Sequence, residues 1–152
     1  MSEATELGLR VRPIYDRGDL VPDDLMIDLI RERLEREDGF VLDGFPRTLP
    51  QAEALDAMLD EIGKLHDAVI LLEVSDDVAT RRLQARAAEE GRADDSPEAI
   101  RNRLRLYHEL TEPVVDRYRA DGMLVAVDGE GSVAEVADQI EEALTRIGVR
   151  SR

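Results

Sequence analysis

The chain has 152 residues, 43% of them apolar and 36% charged, enough for one domain with a buried core. Its 35 acidic residues against 20 basic ones give a net charge of -15, which excludes non-specific attraction to nucleic acid or an anionic membrane. Aromatic content of 3% with no Trp excludes a base-stacking platform, and the absence of Cys excludes disulfides, thiolate metal sites and Cys nucleophiles. The opening Met1-Ser2-Glu3-Ala4-Thr5-Glu6 lacks the basic and apolar regions of a signal peptide, and no apolar run reaches spanning length, so a cytoplasmic location is expected.

In chain order, Pro22-Asp23-Asp24 opens a helix with Leu25, Met26, Leu29, Ile30 and Leu34 at helical spacing, closed by Asp38-Gly39. Phe40-Val41-Leu42 predicts a short buried strand whose carboxyl end carries Asp43-Gly44. Thr48-Leu49-Pro50-Gln51 reads as a capping box for a helix with Leu55, Leu59 and Ile62 on one face, stopped by Gly63. Ala68 to Val74 is nearly all apolar, as in a strand covered on both faces. Ser75-Asp76-Asp77 caps the next helix, which runs to about Glu90. Ser96-Pro97 starts a long helix expected to kink near Pro113 and to end at Asp121-Gly122. Leu124 to Val127 is the last strand, followed by Asp128-Gly129 and by a second capping box, Ser132-Val133-Ala134-Glu135, which opens the C-terminal helix. This alternation predicts an α/β fold, a mostly parallel sheet with helices on both faces, in one domain over residues 1–152. Ligands of such folds sit at the carboxyl ends of the strands, where Asp43, Gly44 and Asp128 to Gly131 are expected.

Two constellations carry possible chemistry. In Asp43-Gly44-Phe45-Pro46-Arg47-Thr48-Leu49-Pro50-Gln51, an Asp at a strand end can hold a hydrated cation, and Gly permits close backbone approach. Arg47 offers a planar fork to a phosphate, and the Gln51 amide can pair with a base edge. The same residues also read as a tight turn, a surface charge and a cap. Nineteen of the basic residues are Arg. Arg82 and Arg86 share a helix face, Arg92 lies in a loop and Arg103 on the next helix, a set that would suit a transferring phosphoryl group. Charge patterning alone favours reading them as a solvated, ion-paired face. His66 and His108 read as surface or boundary side chains, and Ser2, Ser75, Ser96 and Ser132 have no context that would make them nucleophiles.

Taken together, Asp19-Leu20-Val21-Pro22-Asp23, the stretch Asp43 to Gln51, Gly91-Arg92-Ala93-Asp94-Asp95, and Arg101-Asn102-Arg103-Leu104 with Tyr107-His108 resemble the adenylate kinases, in their short-lid bacterial form. The similarity covers about Thr5 to Leu144 in the family's order. It implies reversible phosphoryl transfer from MgATP to AMP, giving two ADP, in a monomer that takes no nucleic acid or membrane partner. It further implies that the backbone of Asp19, Leu20 and Val21 meets the AMP base, that Gly44, Phe45, Pro46 and Arg47 line the AMP site with Arg47 on its phosphate, and that Gln51 reads adenine. Asp43 would act through water on Mg2+. Arg86 would contact ATP with Arg82 beside it on the phosphates, Arg92 and Arg103 would bridge AMP and the moving phosphoryl group, and the backbone at Gly131 would touch the adenine of ATP. Residues 1–21 would be a remnant of the AMP-binding subdomain and 86–96 a short lid.

The family's Gly-rich phosphate loop ending in Gly-Lys does not occur in these 152 residues. The sole Lys, Lys64, follows Gly63, but Met58 stands where that motif needs its first Gly and Leu65 where it needs Ser or Thr. Thr5-Glu6-Leu7-Gly8 already reads as mid-domain family sequence, so the chain is expected to represent an N-terminally truncated adenylate kinase. Two other functions fit the same residues: a UMP- or CMP-type kinase, and a nucleotide-binding fragment without catalysis.

Overall fold

The computed structural model describes residues 23–90 and 96–148. The described residues up to Leu65 form one compact unit and those from His66 onward a second.

In the first unit, helix α1 spans Asp23–Leu34 and helix α2 spans Leu49–Glu61. Ile27, Ile30 and Leu34 recur along α1, and Leu55, Met58, Leu59 and Ile62 along α2, so each helix turns one apolar stripe toward the other. Leu34, Leu55, Met58 and Leu59 form the buried centre. Helix α1 ends four residues before the expected Asp38. Glu35 to Asp38 offer nothing to bury, and the chain tightens through Arg36 N–H to the Arg33 carbonyl (3.2 Å) and Glu37 N–H to the Leu34 carbonyl (3.3 Å). Helix α2 is capped by the Thr48 hydroxyl, which accepts from Gln51 N–H, and stopped at Gly63, whose φ of 67° is left-handed.

The expected strand at Phe40-Val41-Leu42 does not form. The segment is extended but irregular, and among the described residues no strand lies beside it to accept its hydrogen bonds. Its alternation serves packing instead: Phe40 and Leu42 lie against the α1–α2 core while Val41 is 93% exposed.

In the second unit, strand β1 (Val69–Glu73) pairs in parallel with strand β2 (Leu124–Asp128), in register from Val69 opposite Leu124 to Glu73 opposite Asp128. Between them run helix α3 (Asp76–Glu90), helix α4 (Pro97–Leu106), a π-helical turn (Tyr107–Thr111) and helix α5 (Glu112–Ala120), and helix α6 (Val133–Arg146) follows β2. The π turn is the form taken by the irregularity expected near Pro113, whose missing N–H interrupts the regular ladder. Ile100, Val114, Tyr118, Val127 and Ala143 are buried, and the Tyr118 ring meets His66 edge-on at 5.5 Å. Both α5 and α6 lie against β2. Strand β1 is not covered throughout as its composition suggests: Ile70 and Leu72 stay 37% and 47% exposed, because among the described residues β1 has a single neighbouring strand. The result is nevertheless an α/β chain with a parallel sheet.

Candidate functional site

In the first unit, the stretch 43–51 is held by hydrogen bonds among its own residues and to Asp23. Gly44 has a φ of 68°, which places its carbonyl to accept from Arg47 Nε at 2.6 Å. The two residues are so close that a Cβ at position 44 would stand 2.6 Å from Arg47 Nη2. The Phe45–Pro46 peptide bond is cis. Gln51 sits at the third position of α2, where a capping box would turn its side chain onto the N–H of Thr48. Its Oε1 instead accepts from the N–H of Arg47, one residue earlier, at 2.8 Å. Its Nε2 donates to Asp23 Oδ1 at 2.7 Å, and Thr48 Oγ1 accepts from Gln51 N–H at 3.3 Å. Gly44, Arg47 and Gln51 are therefore brought together as the sequence suggests, with Asp23 at the start of α1 joining them. Sequence reading missed Asp23 as a partner, because nothing in its spacing marks a contact to a side chain 28 residues away.

Asp43 is exposed at the bend before Gly44. Among the described residues no group of three or more His, Asp or Glu is arranged to hold a metal ion. A lone exposed carboxylate suits a hydrated Mg2+ carried mainly by nucleotide phosphates, which needs no protein cage.

In the second unit, Arg82 is occupied by the loop after β2. Its guanidinium donates to the carbonyls of Gly129 (2.6 Å), Glu130 (2.8 Å) and Gly131 (3.1 Å). The same loop is fastened to the end of β1, since Glu130 Oε1 accepts from Ser75 N–H at 2.9 Å and from the Ser75 hydroxyl at 2.6 Å. Those bonds, the hydroxyl's first, hold the Glu130 carboxyl below the ordinary carboxylate range. Gly129 is buried against β1, where a Cβ would come within 2.7 Å of Val74 Cγ2 and 3.1 Å of Leu72 Cβ. Loop 128–131 thus has a fixed shape at the carboxyl ends of both strands, where the fold class locates ligands. Arg86 is half-buried on α3 and Arg103 is exposed on α4. Asp19, Leu20, Val21 and Arg92, with the rest of 91–95 in the expected lid, lie outside the described residues.

A cavity of about 640 Å³ opens beside the same strand ends, lined among others by Glu73, Asp76, His108, Glu112, Asp128 and Glu130. His108 is more engaged than a stray surface histidine. Its Nδ1 lies 2.8 Å from Glu112 Oε1, and its Nε2 3.1 and 3.0 Å from the two Asp76 oxygens. Carboxylates only accept, so this arrangement is complete when both ring nitrogens carry protons. The bonds to Glu112 and then to Asp76 raise the imidazole above its ordinary value. The i,i+4 spacing of His108 and Glu112 is the one part of this cluster visible in sequence.

A family profile described as adenylate kinase matches residues 1–123. The adenylate kinase of Thermus thermophilus is 51% identical over 144 residues, covering 95% of this chain and 76% of the relative. That of Stenotrophomonas maltophilia is 44% identical over 147 residues (95% and 79%), and that of Xanthomonas euvesicatoria 43% identical over 149 residues (96% and 80%). With the 43–51 stretch folded around Arg47 and Gln51 and nearly the whole chain aligned to such relatives, the chain belongs to the adenylate kinase family, phosphotransferases acting between adenine nucleotides.

Proposed function

We propose that this chain binds AMP through Gly44, Phe45, Pro46, Arg47 and Gln51, in the reaction ATP + AMP = 2 ADP with Mg2+, as a cytoplasmic monomer. The observation that carries this reading is the Arg47–Gln51 pair on one fixed turn, a cationic fork and an oriented amide separated by one turn of chain. Arg47 supplies paired donors for a phosphate and Gln51 a donor beside an acceptor for a purine edge. In the second unit, loop 129–131 takes the adenine of ATP at the Gly131 backbone, and Arg82 serves by holding that loop. Arg86, Arg92 and Arg103 then meet the phosphates, with 86–96 as the lid and residues 1–21, including Asp19, Leu20 and Val21, completing the AMP side. Asp43 would hold Mg2+ through water, and the ion would supply charge neutralisation for the phosphates. The protein's part is positioning and fixed positive charge in a site that excludes water.

A second reading, binding of AMP without turnover, is favoured by one specific observation. The cavity at the strand ends carries the carboxylates of Glu73, Asp76, Glu112, Asp116, Asp128 and Glu130, which repel phosphate. ADP formation from ATP plus AMP, measured beside Arg47→Ala, separates the two. Activity lost in the variant supports the kinase, and AMP binding by calorimetry with no ADP formed supports the second reading. A panel of UMP, CMP and AMP acceptors tests the base. No AMP binding at all would overturn both.

A further inference from the structure

We propose that Asp23 is a specificity-determining residue: by accepting a hydrogen bond from the Gln51 amide, it joins the Arg47 N–H in setting which end of that amide faces a bound base. This rests on the reading of Gly44 to Gln51 as the AMP site. A glutamine amide is nearly symmetric in shape but opposite in chemistry at its two ends, so its orientation is set by its neighbours. Here both ends are committed. The Arg47 N–H can only donate and therefore demands Oε1, at 2.8 Å, while the Asp23 carboxylate can only accept and therefore demands Nε2, at 2.7 Å. A flip would oppose donor to donor at Arg47 and acceptor to acceptor at Asp23.

Each of these bonds uses half of what its atom offers. Nε2 has two N–H groups and gives one to Asp23, and Oε1 has two lone pairs and gives one to Arg47. One donor and one acceptor in fixed order are left for a ligand. Adenine presents its amino group as donor beside a ring nitrogen as acceptor, which this order matches. Hypoxanthine presents a carbonyl acceptor at the same carbon beside a protonated ring nitrogen, the reverse order, which only a flipped amide could read. Asp23 therefore discriminates between the two bases without touching either one. It is a positioning residue, and its effect belongs in the ratio of affinities.

The test is calorimetric titration of the full chain with AMP and with inosine 5′-monophosphate, comparing the native protein with Asp23→Ala, Asp23→Asn and Asp23→Glu. The native protein is expected to prefer AMP. Asp23→Ala and Asp23→Asn should reduce the AMP-to-inosine monophosphate preference about five- to tenfold, since an alanine makes no demand and an asparagine accepts either amide end. Asp23→Glu, which keeps the acceptor, should recover most of the preference. A change that weakens both ligands equally, or leaves the ratio unmoved, would overturn the proposal while leaving the AMP site intact. Failure of the native protein to bind AMP would instead remove the reading on which it rests, and the proposal with it.

Discussion

At Gly44 the backbone adopts a left-handed φ while the Arg47 guanidinium occupies the space a side chain would need. Gly44→Ala is accordingly expected to lose about 1–2 kcal/mol from the left-handed conformation alone and to displace Arg47. Chemical denaturation reads the first effect and AMP titration the second. Arg47→Ala keeps the backbone N–H that Gln51 accepts from but removes the charged donors, and AMP affinity should fall about ten- to a hundredfold, the worth of a hydrogen bond to a charged group at roughly 1.5–3 kcal/mol. An affinity within a factor of two of the native protein would take Arg47 out of the site. At this scale the sequence was informative where chemistry is local: Gly, Arg and Gln at fixed offsets announce a turn, a fork and an amide. It was silent on Asp23, because the contact crosses from one helix to the next and depends on how the two pack.

Elements announced by their caps formed where expected. Ser132 caps α6 reciprocally with Glu135, the Ser132 hydroxyl accepting from Glu135 N–H and the Glu135 carboxylate accepting from Ser132 N–H. Ser132→Ala should cost about 1 kcal/mol, read as a shift in urea midpoint. Phe40 to Leu42 shows the opposite case, since a strand is defined by its neighbour and three apolar residues cannot report whether one is present. Between elements, His108 links α3 to α5 through Asp76 and Glu112 and gives the second unit a pH dependence. Its folded value is raised, so the stabilisation is complete below the ordinary value of 6.5 and is lost as pH climbs through the higher folded value. Tyr107, Asp116, Arg119 and Glu130 face the same cavity. The urea midpoint should decline from about pH 6.5 upward in the native protein, and His108→Gln should abolish that slope. Glu130 works in the other direction: its carboxyl is depressed by Ser75, so its contribution is present above 4.5 and is lost as pH falls through the lower folded value. A midpoint independent of pH on the alkaline side would mean that His108 bears no such link.

For the whole molecule, the alternation of helices and strands was enough to recognise a parallel α/β chain, and β1 and β2 pair as that pattern requires. What the pattern does not supply is the coverage of each strand: Ile70 and Leu72, read as interior, stay partly exposed beside a sheet of two described strands. Exposed apolar residues on a short-sided sheet are an association hazard, held in check here by a net charge of -15. Among the described residues no helix is long and apolar enough to cross a membrane. Family membership is set by similarity along nearly the whole chain, whereas the function proposed for this chain rests on one turn and one loop. The most direct measurement is a titration of the isotope-labelled protein with AMP, followed residue by residue through backbone amide resonances. The amides of Gly44, Arg47 and Gln51 should shift together and saturate, with the α6 amides nearly unmoved. Shifts absent from 44–51, or no saturable change anywhere, would contradict the assignment of this turn as the AMP site.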